Sequence, residues 1–195
     1  MKKRIAIILA IVCVLTIGLC ACDKGSSGGS AGGKSETVDV GDFTVNAPKN
    51  WMVLEQTDMF GEKDAEGNYP KRTDAIGLVK DGKSEFDAFS KPVLYIYYYS
   101  STTASEQAES TKAWSIGDII DKDPVTINGK ECQVLEEKQE SIVDEGKYYI
   151  YNYVFYPITD TGCIQFTVPI DMIEFAGVSI EDADVKAIME SVQLK

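Results

Sequence analysis

The chain has 195 residues, 44% of them hydrophobic and 10% aromatic, enough to build a core without disulfide staples, and its formal net charge is −12. The absence of histidine excludes Ser-His-Asp and Cys-His nucleophile systems, histidine general bases and histidine metal ligands. Lys2, Lys3 and Arg4 are three of the 19 basic residues and no acid precedes Asp23, so the chain beyond its leader carries 16 Lys+Arg against 31 Asp+Glu, net −15. That balance repels nucleic acids and anionic headgroups and favours a cationic ligand or an envelope protein as partner, unless the acidity serves only solubility.

Met1 to Arg4 is a basic start, and Ile5 to Ala21 is an apolar run interrupted by Thr16 and Gly18, in the form of a bacterial secretion signal. Its 17 residues fall short of the ~20 that span a bilayer as a helix. The run ends Leu19-Cys20-Ala21-Cys22, which resembles the bacterial lipobox and divides the chain into a signal peptide (1–21), a lipidated Cys22 with its tether (22–36) and a globular domain (37–195). In the pathway that the resemblance implies, Cys22 receives diacylglycerol, becomes the new N-terminus and carries further acylation such as palmitate. The protein is then expected on the outer face of a bacterial cytoplasmic membrane, attached through the lipid at Cys22. Asp23 to Glu36, DKGSSGGSAGGKSE, has no aliphatic side chain larger than alanine and reads as a flexible tether of roughly 20 Å mean span.

From Thr37 the pattern becomes that of a folded head. Phe43, Val45 and Ala47 alternate with polar residues, Pro48-Lys49-Asn50 turns, and Trp51 and Val53 alternate again, so strand, turn and strand are predicted. Thr57 to Ala75 is polar and holds Asp58, Glu62, Asp64, Glu66 and Asp74. A short strand follows at Ile76 to Val79, and Val93 to Tyr99, VLYIYYY, gives the strongest strand signal and a central place in the sheet. Ser105 to Trp114 is predicted as a helix, with Ile116, Ile119 and Ile120 suggesting an apolar face further on. An up-and-down set of strands comes next: Pro124 to Ile127, the Asn128-Gly129 hairpin turn, Glu131 to Glu137, Lys147 to Tyr156, and Cys163 to Val168. A last helix is expected from Ser179, burying Val185, Ile188 and Met189, before a short Val192 to Leu194 extension.

The Phe43-Thr44-Val45 strand with Pro48 and Trp51, the aromatic strand, the Asn-Gly hairpin, the Tyr/Phe-rich hairpin and the closing Ile188-Met189-Glu190-Ser191-Val192 together resemble the PsbP-like group over roughly residues 38 to 195. That group includes a photosystem II extrinsic subunit, a eukaryotic Ran-binding import factor and many bacterial lipoproteins. The resemblance implies an α+β fold with a central antiparallel sheet flanked by helices, an α/β/α sandwich. The group shares no active-site motif that could be carried over.

Candidate chemistry is sparse. Asp64, Glu66 and Asn68 offer oxygens at alternate positions, as a calcium loop begins, but the glycine and the twelfth-position glutamate of an EF-hand are missing, and a solvated turn is the alternative. Tyr95, Tyr97 and Tyr99 share one face of their strand, as do Tyr149, Tyr151 and Tyr153 with Phe155. Such stripes either line a binding face for peptide, sugar or aromatic ligand, or pack beneath flanking helices. Cys132 and Cys163 fall on strands separated by the aromatic strand between them, about 10 Å apart against the ~7 Å limit for a disulfide, so two buried, unpaired thiols are expected. No cofactor, metal site or catalytic residue is expected. The leading class is a lipid-anchored, non-enzymatic binding or accessory module of the cell envelope; the second is an envelope hydrolase with a carboxylate-based site, since distant acids can meet in a fold.

Overall fold

A computed structural model describes residues 35–195, so the expected signal peptide, the expected lipidation at Cys22 and nearly all of the expected tether lie outside the described residues. The Asp58–Pro70 segment forms a unit of its own. The remaining described residues make ten strands and two α-helices.

In chain order the elements are β1 (Glu36–Asp39), β2 (Phe43–Ala47), β3 (Trp51–Thr57), β4 (Lys71–Lys80), a 3-10 turn (Glu85–Phe89), β5 (Val93–Tyr99), α1 (Ala104–Trp114), β6 (Asp118–Ile127), β7 (Lys130–Glu140), β8 (Tyr148–Tyr156), β9 (Cys163–Asp171), α2 (Ala183–Glu190) and β10 (Gln193–Leu194). Seven of the strands form one antiparallel sheet in the order β3-β4-β5-β9-β8-β7-β6, and β1, β2 and β10 form a second. Two sequential meanders, β3 to β5 and β6 to β9, are therefore joined by the non-sequential pairing of β5 with β9.

The fold class expected from the resemblance is overturned: the described residues are mostly β, and the seven-stranded sheet is not flanked by helices in an α/β/α sandwich. One face carries Ile76, Leu78, Leu94, Ile96, Phe166, Val154 and Val134, which form a single core with Phe43, Val45 and Ala47 of β2 and Val185, Ile188 and Met189 of α2. A second sheet occupies the place where helices were expected. The physical reason is that β2 alternates buried and half-buried residues, giving it one apolar face, while β1 and β10 complete its backbone hydrogen bonds on both sides.

Three element assignments also change. Ile119 and Ile120 belong to β6, which begins at Asp118, because α1 ends at Trp114 and a Ser115-Ile116-Gly117 turn redirects the chain. α1 is capped by Thr103, whose hydroxyl accepts from the Glu106 amide while Glu106 accepts in return from the Thr103 amide. β4 begins at Lys71, so half of the strand lies in what reads as polar loop. Ser179 opens a turn that it shares with Asp182, and α2 starts only at Ala183. β6 is interrupted by a bulge between Lys122 and Val125, beside Pro124.

Asp184, in the first turn of α2, ties that helix to the large sheet by accepting from Trp51 Nε1 and Lys80 Nζ, both at 3.0 Å. Burial opposes its charge, yet the hydrogen bonds from Lys80 and Trp51 hold the carboxyl below its usual range. A folded-state pKa below the unfolded one gives stability that is present above the unfolded pKa, about pH 4, and lost as pH falls through the folded pKa. Asp184→Asn should therefore cost about 1–2 kcal/mol at neutral pH, and the difference should shrink as pH falls below about 4, measured by urea unfolding across that range.

Candidate functional site

Register places both tyrosine stripes on the same face of the seven-stranded sheet, the face opposite the core shared with α2. Thr167 of β9 is paired with Tyr95 on one side and Tyr153 on the other. Tyr97 and Phe155 flank Gln165 in the same way, and Tyr151 lies opposite Pro169. Side chains two apart on a strand share a face, so Tyr99 and Tyr149 join the set. Two rows of tyrosine thus stand about 10 Å apart on either side of β9.

The floor beneath them is made of small residues. Gly77 is paired with Tyr95 and Ala75 with Tyr97. A Cβ on Gly77 would lie 3.3 Å from the Tyr95 ring, so the ring lies over the bare backbone there. Tyr95 and Tyr97 are stacked, with centroids 6.2 Å apart and planes inclined by 23°. The guanidinium of Arg72 lies 5.6 Å from the centre of the Tyr97 ring and forms a two-point pair with Asp74 at 2.7 and 2.9 Å.

Only part of this face is covered. α1 packs Ala108 against Leu135 and Phe155, with Tyr153 at the margin, and Gln107 Nε2 donates to Gln165 Oε1 at 2.8 Å. All six candidate tyrosines are half-buried. Among the described residues the Tyr153 hydroxyl donates to Glu137 Oε2 at 2.6 Å, whereas the hydroxyls of Tyr95, Tyr97, Tyr99, Tyr149 and Tyr151 have no protein partner and are reached by solvent. The expectation of packing under flanking helices is thus met for Phe155 and the edge of Tyr153, and not for the rest.

Burial raises the pKa of Tyr95, Tyr97, Tyr99 and Tyr153 and pushes Tyr151 up to about 12, where Tyr149, Glu137, Tyr95 and Glu174 add to the effect. Tyr151 senses Tyr95, and Tyr153 senses Tyr97, so the two rows interact across β9. These phenols stay neutral at physiological pH, each able to donate and accept a hydrogen bond.

Glu137 is the buried carboxylate of the face. Its Oε1 accepts from the Ser115 hydroxyl at 2.6 Å and the Gly117 amide at 3.0 Å, and its Oε2 accepts from Tyr153. Sequence alone marks neither Glu137 nor the Arg72–Asp74 pair as a candidate. Parity is the signal that carries them: Glu137 shares a strand face with Leu135, and Arg72 and Asp74 belong to β4, which starts five residues before the apolar stretch at Ile76.

Cys132 and Cys163 are buried and free, with β8 between their strands, and burial pushes both thiols up to about 11. In the Asp58–Pro70 unit, Asp64 spends its carboxylate on the amides of Glu66 and Asn68 and on the Asn68 side chain, which makes a turn. No group of acids or cysteines suited to a metal ion occurs among the described residues. Two strings in the Gly/Ser segment match catalytic patterns by letters: Gly25 to Gly29 spaces Gly-x-Ser-x-Gly, and Gly28 to Ser35 spaces a phosphate loop. The first lacks any histidine partner in the chain, and strand β1 follows the second where a phosphate loop opens a helix.

No protein-family model matches the chain, and no curated protein matches it.

Proposed function

We propose that the chain is a lipid-anchored, non-enzymatic binding module of the cell envelope, held through Cys22 on the outer face of the cytoplasmic membrane, whose tyrosine face takes a neutral, polyhydroxylated ring ligand, namely an envelope glycan. The observation that carries this reading is the six tyrosines converging on one solvent-reached sheet face, five of them with unpartnered hydroxyls. Rings lying over Gly77 offer a flat surface for the C–H face of a sugar, and phenols together with the Arg72–Asp74 pair offer hydrogen bonds to its hydroxyls. A peptide is served less well, because the face lies inside the sheet, where backbone groups are already paired. Polyanionic glycans are disfavoured by the net charge.

Binding is preferred to hydrolysis because the oxygens of Glu137 are taken by three donor groups. In addition, among the described residues the carboxylates with a displaced pKa, such as Asp74, Asp121 and Asp184, are displaced downward, away from general-acid chemistry. Titrating the protein with neutral chito-oligosaccharides should perturb tyrosine resonances of this face, and Tyr97→Ala or Tyr151→Ala should weaken binding about tenfold each. Undisturbed tyrosines at saturating sugar, or product formation from the oligosaccharide, would refute the reading.

A further inference from the structure

Six of the nine exposed large hydrophobic side chains among the described residues lie at one end of the seven-stranded sheet; Val53 and Ile120 lie within β3 and β6, and Phe60 lies in the Asp58–Pro70 unit. At that end β3, β5, β6 and β8 begin and β4 and β7 finish, as the pairs Trp51 with Lys80, Val79 with Val93, Asp118 with Lys138 and Glu140 with Tyr148 require. At that end lie Phe86 and Phe89 in the 3-10 turn, Trp114 as the last residue of α1 with Ile116 just after it, and Ile142 and Val143 between β7 and β8. Trp114 is 84% exposed, Ile142 86% and Val143 77%. At the other end the Ser100–Thr103, Asn128–Gly129 and Pro157–Gly162 turns expose no large hydrophobic residue, and the segment between Thr57 and Lys71 exposes one, Phe60. Thr167 faces both Tyr95 and Tyr153, and β8 runs five residues beyond that level toward the apolar end while β5 runs two. The Ile142–Val143 turn therefore projects furthest.

The chain also enters the fold there. Glu36 of β1 is paired with Ala47, which leads through Pro48-Lys49-Asn50 into Trp51, and the Asp81 amide donates to the Asn50 carbonyl at 2.5 Å. Thirteen residues separate Glu36 from Cys22, about 20 Å on average as a Gly/Ser coil and at most about 45 Å.

We infer that this end is a membrane-docking tip: Trp114, Ile142 and Val143, flanked by Phe86 and Ile116, seat in the interfacial layer of the bilayer to which Cys22 is attached. The inference rests on the lipid-anchored reading for its geometry. Tryptophan and aliphatic side chains favour that layer, and tethering converts a weak insertion into a persistent one by raising the local concentration. Acidic residues dominate the chain, so the contact is apolar and insensitive to salt rather than electrostatic. Docking at this end sets the sheet strands upright on the membrane and leaves the tyrosine face open at the side.

The test uses the mature chain, residues 22–195, with and without its lipid, titrated with phosphatidylcholine vesicles whose acyl chains are brominated. Trp114 emission should fall on the order of two-fold in both forms at saturating lipid, with the unlipidated form needing on the order of 100-fold more lipid. Trp51, 3% exposed, should not be quenched, and Trp114→Phe isolates its signal. Replacing Ile142 and Val143 by aspartate should abolish the quenching of Trp114 without unfolding the chain, because both lie in an exposed turn. Unquenched Trp114 in both forms overturns the docking tip. Equal lipid dependence in the two forms, with quenching intact, leaves the tip standing and removes the anchor reading.

Discussion

Phe166→Ala is expected to destabilise the protein by about 3–5 kcal/mol and lower its melting temperature by on the order of 10 °C. Phe166 is fully buried on β9, the middle strand of the large sheet, with Ile96 paired on one side and Val154 on the other. Those neighbours are held by their own ladders and cannot collapse into the space that the ring leaves, so the cavity cost adds to the lost transfer energy. Val53→Ala is the contrast: Val53 sits on edge strand β3 at 36% exposure, and its truncation should cost under about 1 kcal/mol. Calorimetric or urea unfolding of the pair decides the matter, and a Phe166→Ala protein as stable as Val53→Ala would place the core elsewhere.

Glu137→Ala should cost about 3 kcal/mol, with a fall in melting temperature of on the order of 10 °C. The carboxylate is 6% exposed and joins three elements: the Ser115–Gly117 turn after α1, β7 itself, and Tyr153 on β8. Alanine leaves the Tyr153 hydroxyl without its acceptor and reduces the Ser115 hydroxyl and Gly117 amide to the 3.1 Å bonds within their own turn, so three elements lose the charged acceptor that joins them. Glu137→Gln keeps one acceptor and should lose about half as much. Near-ultraviolet circular dichroism should change with Glu137→Ala as the Tyr153 hydroxyl loses its only hydrogen bond among the described residues. A melting temperature within about 1 °C of the parent would mean that the network contributes nothing.

Individual strands were legible where side-chain type and parity agreed. Val93 to Tyr99 is strand over the full predicted range, since β-branched and aromatic residues fit both of its faces, and the Asn128-Gly129 turn closes β6 on β7 with positive φ at both residues. The β7-β8-β9 order follows from short connections. The partner of β5 was not legible beyond its membership of the same sheet, because a pairing across more than 60 residues leaves no local mark. Nor was the second sheet, since Glu36–Asp39 and Gln193–Leu194 are too short and too polar to read as strands until β2 lies between them. The tyrosines could be assigned to two stripes from their spacing. That both stripes meet on one face depends on the parity of Thr167, which only the register supplies.

The bulge in β6 bears on the behaviour of many copies together. β6 is an outer strand of the large sheet, and a long outer strand is a template on which a second molecule can add its own backbone. Here the strand carries Asp118, Asp121, Lys122 and Asp123, then Pro124, which has no amide hydrogen, at the point where the ladder is already interrupted. A neighbouring chain would meet charge, a missing donor and a local twist in succession, so strand-to-strand growth into aggregates is blocked along this border. That protection allows a β-rich protein to be concentrated on a surface without polymerising through its edge.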